Sequence, residues 1–179
     1  MATIKVYKTF SSIELPKFAT EQSACFDISF QTAGLYDYTG YNRQNKKFTR
    51  PFKDGRLYVN AGDRIMVPTG LIFDIPKGYS VRVHARSGMS LKQGLVLANA
   101  EGVIDSDYVE ETFVLIMNVS DTGQWLSPGD RIAQGELVKQ ESVKIEETKT
   151  RPEVKTNRIG GMGSTGVTIN VTTGTTSTN

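Results

Sequence analysis

Short runs of apolar and β-branched residues, each closed off by glycine or proline, constrain this chain more than any other feature it has. They run from Ile4 to Tyr7, Cys25 to Phe30, Leu57 to Asn60, Arg64 to Pro68, Leu71 to Ile75, Ser80 to His84, Leu95 to Asn99, Thr112 to Val119 and Arg131 to Val138. Runs of this length, bounded in this way, read as strands. The punctuation at Pro16, Gly62, Pro68, Gly70, Pro76, Gly78, Gly88, Gly94, Gly102, Gly123, Pro128 and Gly129 is that of a compact β-barrel or sandwich. Helix is confined to one short segment, Ser87 to Gln93. There is no alternation of strand and helix and no internal repeat, which disfavours a doubly wound nucleotide-binding sheet.

With 179 residues, 38% of them hydrophobic, the chain can build one domain with a real core but not two ordinary ones. Residues 1–145 are expected to form that domain and 146–179 a flexible arm. The arm becomes glycine-rich from Arg158 to Gly166 and then almost wholly Thr, Ser, Gly and Asn, a composition that cannot pack a core. A second departure is Tyr36 to Arg56, where Arg43, Lys46, Lys47, Arg50, Lys53 and Arg56 are interleaved with tyrosines and phenylalanines. It reads as an inserted loop or solvated hairpin, although such a mixture can also hold an unknown partner.

The net charge of +2 is too small for a chain that wraps a polyanion, so no nucleic acid is expected as a partner. Cys25 is the only cysteine, which excludes an intrachain disulfide and fits a reducing compartment. No run is long and apolar enough for a membrane span, and the N-terminus lacks a secretory apolar core. The expected location is the cytoplasm, or the host cytoplasm if the chain is viral.

Five segments carry candidate chemistry. Asp105 follows Val103 and Ile104, which keep water sparse, and Asp107 lies two residues on, on the same face if the segment is extended. Both influences make a carboxylate a stronger base, whereas the competing reading is a turn in which the two aspartates cap backbone amides. Arg86-Ser87-Gly88 follows a strand and opens the helical turn, where hydroxyl and amides can face a phosphate; it also suits a serine helix cap. Gln134, in a strand after apolar residues, needs hydrogen-bond partners from protein or ligand, and Asn99 poses the same question with a donor and an acceptor suited to a base edge. Arg158 to Gly166 offers glycines, a cation and hydroxyls that can wrap a phosphate chain as a lid, or form a disordered linker. The single histidine, His84, excludes a His-dominated metal site, and no P-loop is present.

Taken in order, these segments closely resemble the motifs of the trimeric dUTP diphosphatase (dUTPase) family. Ser23 to Ile28 resembles its first motif, Ala85 to Ser90 its second, Gly102 to Tyr108 its third, Gly129 to Gln134 its fourth and Arg158 to Gly166 its C-terminal fifth. Val67-Pro68-Thr69-Gly70-Leu71 is also typical of the family. The resemblance implies an all-β, distorted jelly-roll barrel that assembles as a homotrimer, with three subunits contributing to each site. It implies hydrolysis of dUTP to dUMP and pyrophosphate, with Asp105 as the base that activates water. Ser87, Gly88 and Gln134 would hold phosphate oxygens, and Arg86 would anchor the second motif. Asn99, with the backbone at Val103 and Ile104, would read uracil, and Tyr108 would stack against the deoxyribose. Arg158 would approach the γ-phosphate, with Met162, Gly163 and Ser164 closing over the nucleotide; Met162 stands where the family usually has an aromatic. Mg²⁺ would be held mainly by the substrate phosphates, with Asp27 reaching it only through water. Two other readings share the fold. One is a nucleotide-binding regulatory protein that uses the basic insertion, and the other is a dCTP deaminase, which needs a glutamate where Leu115 stands.

Overall fold

The computed structural model describes residues 2–157. Its elements in chain order are β1 (Lys5–Lys8), β2 (Phe26–Ser29), β3 (Asp37–Tyr41), β4 (Lys47–Pro51), β5 (Leu57–Val59), β6 (Arg64–Pro68), β7 (Leu71–Asp74) and β8 (Tyr79–His84). There follow α1 (Ser87–Gln93), β9 (Leu95–Leu97), β10 (Gly102–Ile104), β11 (Phe113–Asn118), β12 (Gln124–Leu126) and β13 (Arg131–Lys139). The expected strands are all present within a residue or two at their ends. Two further strands, β10 and β12, formed no run of their own in the sequence, because three residues beginning with a glycine or a glutamine give too little pattern to read.

Strands β10-β8-β13-β2 make a four-stranded antiparallel sheet, and β4-β3-β6-β11-β9 make a five-stranded one. Two ribbons, β1-β7 and β12-β5, complete the layers. Apolar side chains from all four groups meet in one core: Ile28, Val81 and Ala133 from the first sheet, Ile65, Val67 and Ile116 from the second, and Phe73 and Leu57 from the ribbons. Sheets that share one core in this way are the jelly-roll solution to burying the apolar face of every strand.

Two glycines settle local geometry. Gly94 ends α1 in the left-handed conformation, φ 65°, where a Cβ would press into Ser120. Gly135 lies opposite Phe26 in the β13–β2 ladder, and a Cβ there would stand 2.5 Å from the Phe26 ring. The aromatic covers the gap that the glycine leaves.

The insertion forms the hairpin β3–β4, and it is not merely solvated. Strand β3 pairs with β6 through Gly40–Ile65 and Tyr41–Arg64, so the hairpin extends the five-stranded sheet. Tyr38 is buried and its hydroxyl donates to the Tyr58 carbonyl at 2.8 Å. Phe52 stacks with Phe30 of the core at 5.9 Å between ring centres. Arg50 lies over the Phe48 ring at 3.7 Å and pairs with the buried Asp63 at 2.7 Å.

The described residues divide into two units, the compact one ending at Ser142. From Val143 to Asn157 the chain is exposed and has no helix or strand.

Candidate active site

The four-stranded sheet sets the first four motifs on adjacent strands. In spatial order they are the third on β10, the second at the end of β8, the fourth on β13 and the first on β2. Within that sheet the candidate residues fall into two groups.

The first group gathers where β8, β13 and β2 lie side by side. Gln134 is the ladder partner of both Asp27 and His84, and its side-chain amide donates to the Ala85 carbonyl at 3.1 Å. Asp27 accepts from Arg86 Nε on one oxygen and from Arg131 Nη1 on the other, each at 3.0 Å. Arg86 also donates to the Arg131 carbonyl, so its fork ties the first, second and fourth motifs together. Arg86 is the N-cap of α1 in extended conformation, and no side chain caps the helix. Ser87 is exposed as the first helical residue, and its hydroxyl has no hydrogen-bond partner among the described residues, which removes the helix-cap reading. Arg86, Gly88, Lys92 and Arg131 line one open cavity of about 350 Å³ with Asp130 on its rim. Three cations around a cavity suit a polyanionic ligand. Sequence reasoning passed over Lys92 and Arg131 as site residues; for Lys92 the signal was its i+4 spacing from Gly88, which puts both on one helix face.

Asp27 bears on the metal. With a guanidinium on each oxygen it is a poor direct ligand, and the cluster carries one net positive charge, unsuited to a bare cation. Each oxygen keeps a lone pair for water. The residues therefore fit a cation that arrives on phosphates and meets Asp27 through its water shell.

The second group surrounds the connection between β9 and β10. The two strands do not pair with each other. Strand β9 pairs with β11 in one sheet and β10 with β8 in the other, each as an edge strand. Strand β9 follows Gly94 against β11 while β10 continues the β8 ladder, and the two edges splay. Between them lies a pocket of about 160 Å³ walled by Val83, Leu97, Asn99, Gly102, Tyr108 and Val114, with Val103 and Ile104 also on its lining. Two edge strands facing a gap present backbone donors and acceptors without ladder partners on that side. Asn99 is exposed at the turn, beside Ala100, which takes the left-handed conformation at φ 62°. Tyr108 donates to the Glu111 carbonyl at 3.0 Å, which fixes its ring at the pocket wall. Thr112, also on that wall, is buried and its hydroxyl has no partner among the described residues. No pattern in the sequence marks it.

Asp105 leaves β10 directly into a turn closed by Tyr108 N–H donating to the Asp105 carbonyl, 3.1 Å. The segment is therefore not extended through Asp107, and Asp105 and Asp107 do not share a strand face. The Asp105 carboxylate is exposed and makes no hydrogen bond or ion pair among the described residues, so it caps nothing. Val103 is 47% exposed and Ile104 is buried, because successive residues of β10 point to opposite faces. Only Ile104 shields apolar space within the chain, contrary to the expectation for the pair. Arg158, Met162, Gly163 and Ser164 lie outside the described residues.

Asp105 lies far along the sheet from the first group, although the Gly102 end of the pocket is level with Val83, next to His84. The ladder pairs Ile104 with Val81 and Gly102 with Val83, so Asp105 leaves level with Ser80. Ser80 to Arg86 spans about 20 Å at roughly 3.3 Å per residue, and the cluster of Arg86, Asp27 and Arg131 lies at that far end.

The description dUTPase is that of the family model that matches residues 54–166. A deoxyuridine 5'-triphosphate nucleotidohydrolase of Syntrophotalea carbinolica is 34% identical over 164 residues, covering 92% of this chain and 97% of its own. The dUTPase of Staphylococcus bacteriophage 80alpha, solved with dUpNHpp, superposes with a TM-score of 0.71 at 20% identity over 92% of this chain and 99% of its own. That of phage phi11 of S. aureus, described with a coordinated structural Mg(II) ion, gives a TM-score of 0.63 at 19% identity over 83% and 97%.

Proposed function

The chain belongs to the dUTPase family, and from that premise we propose that it hydrolyses dUTP to dUMP and pyrophosphate by attack of water on the α-phosphorus, limiting uracil in DNA and supplying dUMP. The observation that carries this reading is the wedge between β9 and β10. A flat base entering it meets two unpaired strand edges and the Asn99 amide, as it would meet a partner strand or a paired base. The narrow gap rejects the thymine methyl by shape, and Tyr108 against the sugar leaves no room for a ribose hydroxyl. At about 160 Å³ the pocket holds a nucleoside fragment only, below the roughly 300 Å³ of an ordinary small-molecule site, so the triphosphate lies elsewhere. The cavity lined by Arg86, Gly88, Lys92 and Arg131 has the charge for it.

Asp105, free of partners, orients the attacking water and takes its proton. Ser87, Gly88 and Gln134 hold phosphate oxygens, and Arg86 keeps Asp27 and the β13 backbone in place beside them. Bound Mg²⁺ would neutralise phosphate charge, with Asp27 touching its water shell. Arg158, Met162, Gly163 and Ser164, outside the described residues, would supply contacts to the γ-phosphate and the base. The reaction requires Asp105 within about 3 Å of a water in line with the phosphorus. The roughly 20 Å between Asp105 and Arg86 within one chain is met by a homotrimer, in which one subunit's Asp105 faces another's phosphate cluster. No helix among the described residues is long and apolar enough to cross a membrane, and we place the enzyme in the cytoplasm, or in that of the host.

The test is incubation with dUTP, dCTP, dTTP and UTP, following pyrophosphate and ammonia separately. Pyrophosphate from dUTP alone is expected. Ammonia from dCTP would establish a deaminase, and tight dUTP binding without product a regulatory protein.

A further inference from the structure

The four-stranded sheet carries a second set of reactive side chains beside Asp27 and Gln134. The Cys25 Sγ, a His84 ring nitrogen and a Glu136 carboxylate oxygen all lie within 4.8 Å of one another. They belong to three neighbouring stretches of chain: Cys25 immediately precedes β2, Glu136 is in the middle of β13, and His84 ends β8. The ladder explains the meeting. Phe26 pairs with Gly135 and Asp27 with Gln134, so Cys25 falls opposite Glu136, while His84 is opposite Gln134, two residues along β13 and on the same face.

We propose that Cys25, His84 and Glu136 form a binding site for a zinc-type divalent cation, distinct from any metal carried by the substrate phosphates.

The first support is geometric. Three atoms no more than 4.8 Å apart can all be reached from one point at most about 2.8 Å away, and zinc bonds to sulfur, imidazole nitrogen and carboxylate oxygen are about 2.0 to 2.3 Å. Closing that difference takes side-chain adjustments of about half an ångström, with the backbone fixed by the ladders. The second support is the surroundings of the histidine. Its Nε2 is 3.3 Å from the Glu136 carboxylate, and its Nδ1 is 3.6 Å from Glu101 on the opposite side of the ring. Glu136, the nearer carboxylate, hydrogen-bonds Nε2, so a cation taking that position displaces the Nε2 proton, and Nδ1 then carries it toward Glu101, the usual outer-sphere arrangement of a metal-bound imidazole. Arg82 steadies Glu101 from behind at 3.4 Å.

Charge is the third support. Glu136 has no lysine or arginine ion-pair partner among the described residues, and it faces a thiol. Partial burial pushes the Cys25 thiol up, and the Glu136 carboxylate adds to the effect. A divalent cation between them reverses that relation, because it stabilises thiolate and carboxylate together. Binding therefore releases the thiol proton and strengthens as pH rises. The set of one sulfur, one nitrogen and one oxygen selects zinc or cobalt over magnesium or calcium. Bound there, the ion would staple β2, β13 and β8 beside the Asp27 cluster.

Cobalt(II) gives a direct reading, because Cys25 is the only cysteine and any thiolate-to-metal charge-transfer band must come from it. The full chain, stripped with chelator under reducing conditions, is titrated with Co²⁺ and then with Zn²⁺. The expected result is a charge-transfer band and tetrahedral ligand-field bands saturating at one ion per chain, and bleaching by zinc but not by magnesium. Cys25→Ser should abolish the charge-transfer band, and Glu136→Gln should weaken binding strongly. Glu101→Gln should keep the band and lower affinity about 10- to 100-fold, the usual cost of losing an outer-sphere partner. A folded wild-type chain that gives no charge-transfer band overturns the proposal, as does a band that Glu136→Gln and His84→Gln leave unchanged.

Discussion

At the scale of single residues, Asp105 and Gly135 show how far neighbours in sequence mislead about neighbours in space. Val103 and Ile104 suggest a dry carboxylate, yet the pleat of β10 turns one of them outward, and the chain bends at Asp105 itself. In the structure the Asp105 carboxylate is exposed and unengaged while the neighbouring backbone is fixed by the turn. Asp105→Asn keeps that turn, since the turn bond uses the carbonyl. It is therefore expected to leave melting temperature and nucleotide affinity nearly unchanged while turnover falls about 10²- to 10⁴-fold, the range for loss of a general base. Rapid-quench measurement of pyrophosphate release checks it, and near-normal turnover would remove Asp105 from the mechanism. Gly135 carries a structural prediction. A methyl group there meets the Phe26 ring, so Gly135→Ala should cost about 1 to 3 kcal/mol by overpacking. Adding Phe26→Leu should recover part of that loss, and denaturant unfolding of the two single variants and the double variant measures the coupling.

At the scale of elements, most strands were legible because apolar and β-branched runs were cut by glycine and proline, and the helix because it ends at Gly94. The insertion was legible only as a hairpin. Its mixture of cations and aromatics suggested a solvated element, because composition does not say which way each side chain points. Tyr38 points inward, and Phe48, Arg50 and Phe52 alternate with Thr49 and Pro51 along the second arm. The cation among them is engaged internally, by the Phe48 face and by Asp63. The wedge between β9 and β10 was missed for a different reason. Strand β10 is too short to form a run of its own, and only the β11 and β8 ladders place the two strands in separate sheets. For the hairpin, Tyr38→Ala should destabilise the chain by about 3 to 5 kcal/mol, as expected for emptying a large buried aromatic site. Charge reversal at the exposed Lys46 and Lys47 should move stability by no more than about 0.5 kcal/mol. Thermal unfolding of both variants separates a hairpin that is part of the core from one that is only attached to it. Equal, small effects would return the insertion to the solvent.

At the scale of the whole molecule, five ordered motifs announced the family but not how one chain distributes them. The separation follows from antiparallel pairing: β8 and β10 run in opposite directions, so the exits of the two strands lie at opposite ends of the sheet. Asp105 leaves at one end, and Arg86 and Ser87 at the other. In the proposed trimer a second copy brings Asp105 to the phosphate cluster, and this gives an arithmetic test. Asp105→Asn and Ser87→Ala subunits are each defective when assembled alone. Mixed in equal amounts, unfolded and refolded together, they assort at random in a closed ring. A site drawing its Asp105 from one subunit and its phosphate cluster from another is intact when the first is Ser87→Ala and the second Asp105→Asn. Half of the subunits supply each requirement, so about one quarter of the sites should regain full turnover, provided that the ring closes symmetrically. If each site were built within one chain, every site would carry one defect or the other and co-refolding would restore nothing. Light scattering on the mixture shows whether the ring has formed, so an absence of recovered activity in a fully assembled mixture would count against the shared site and not against assembly.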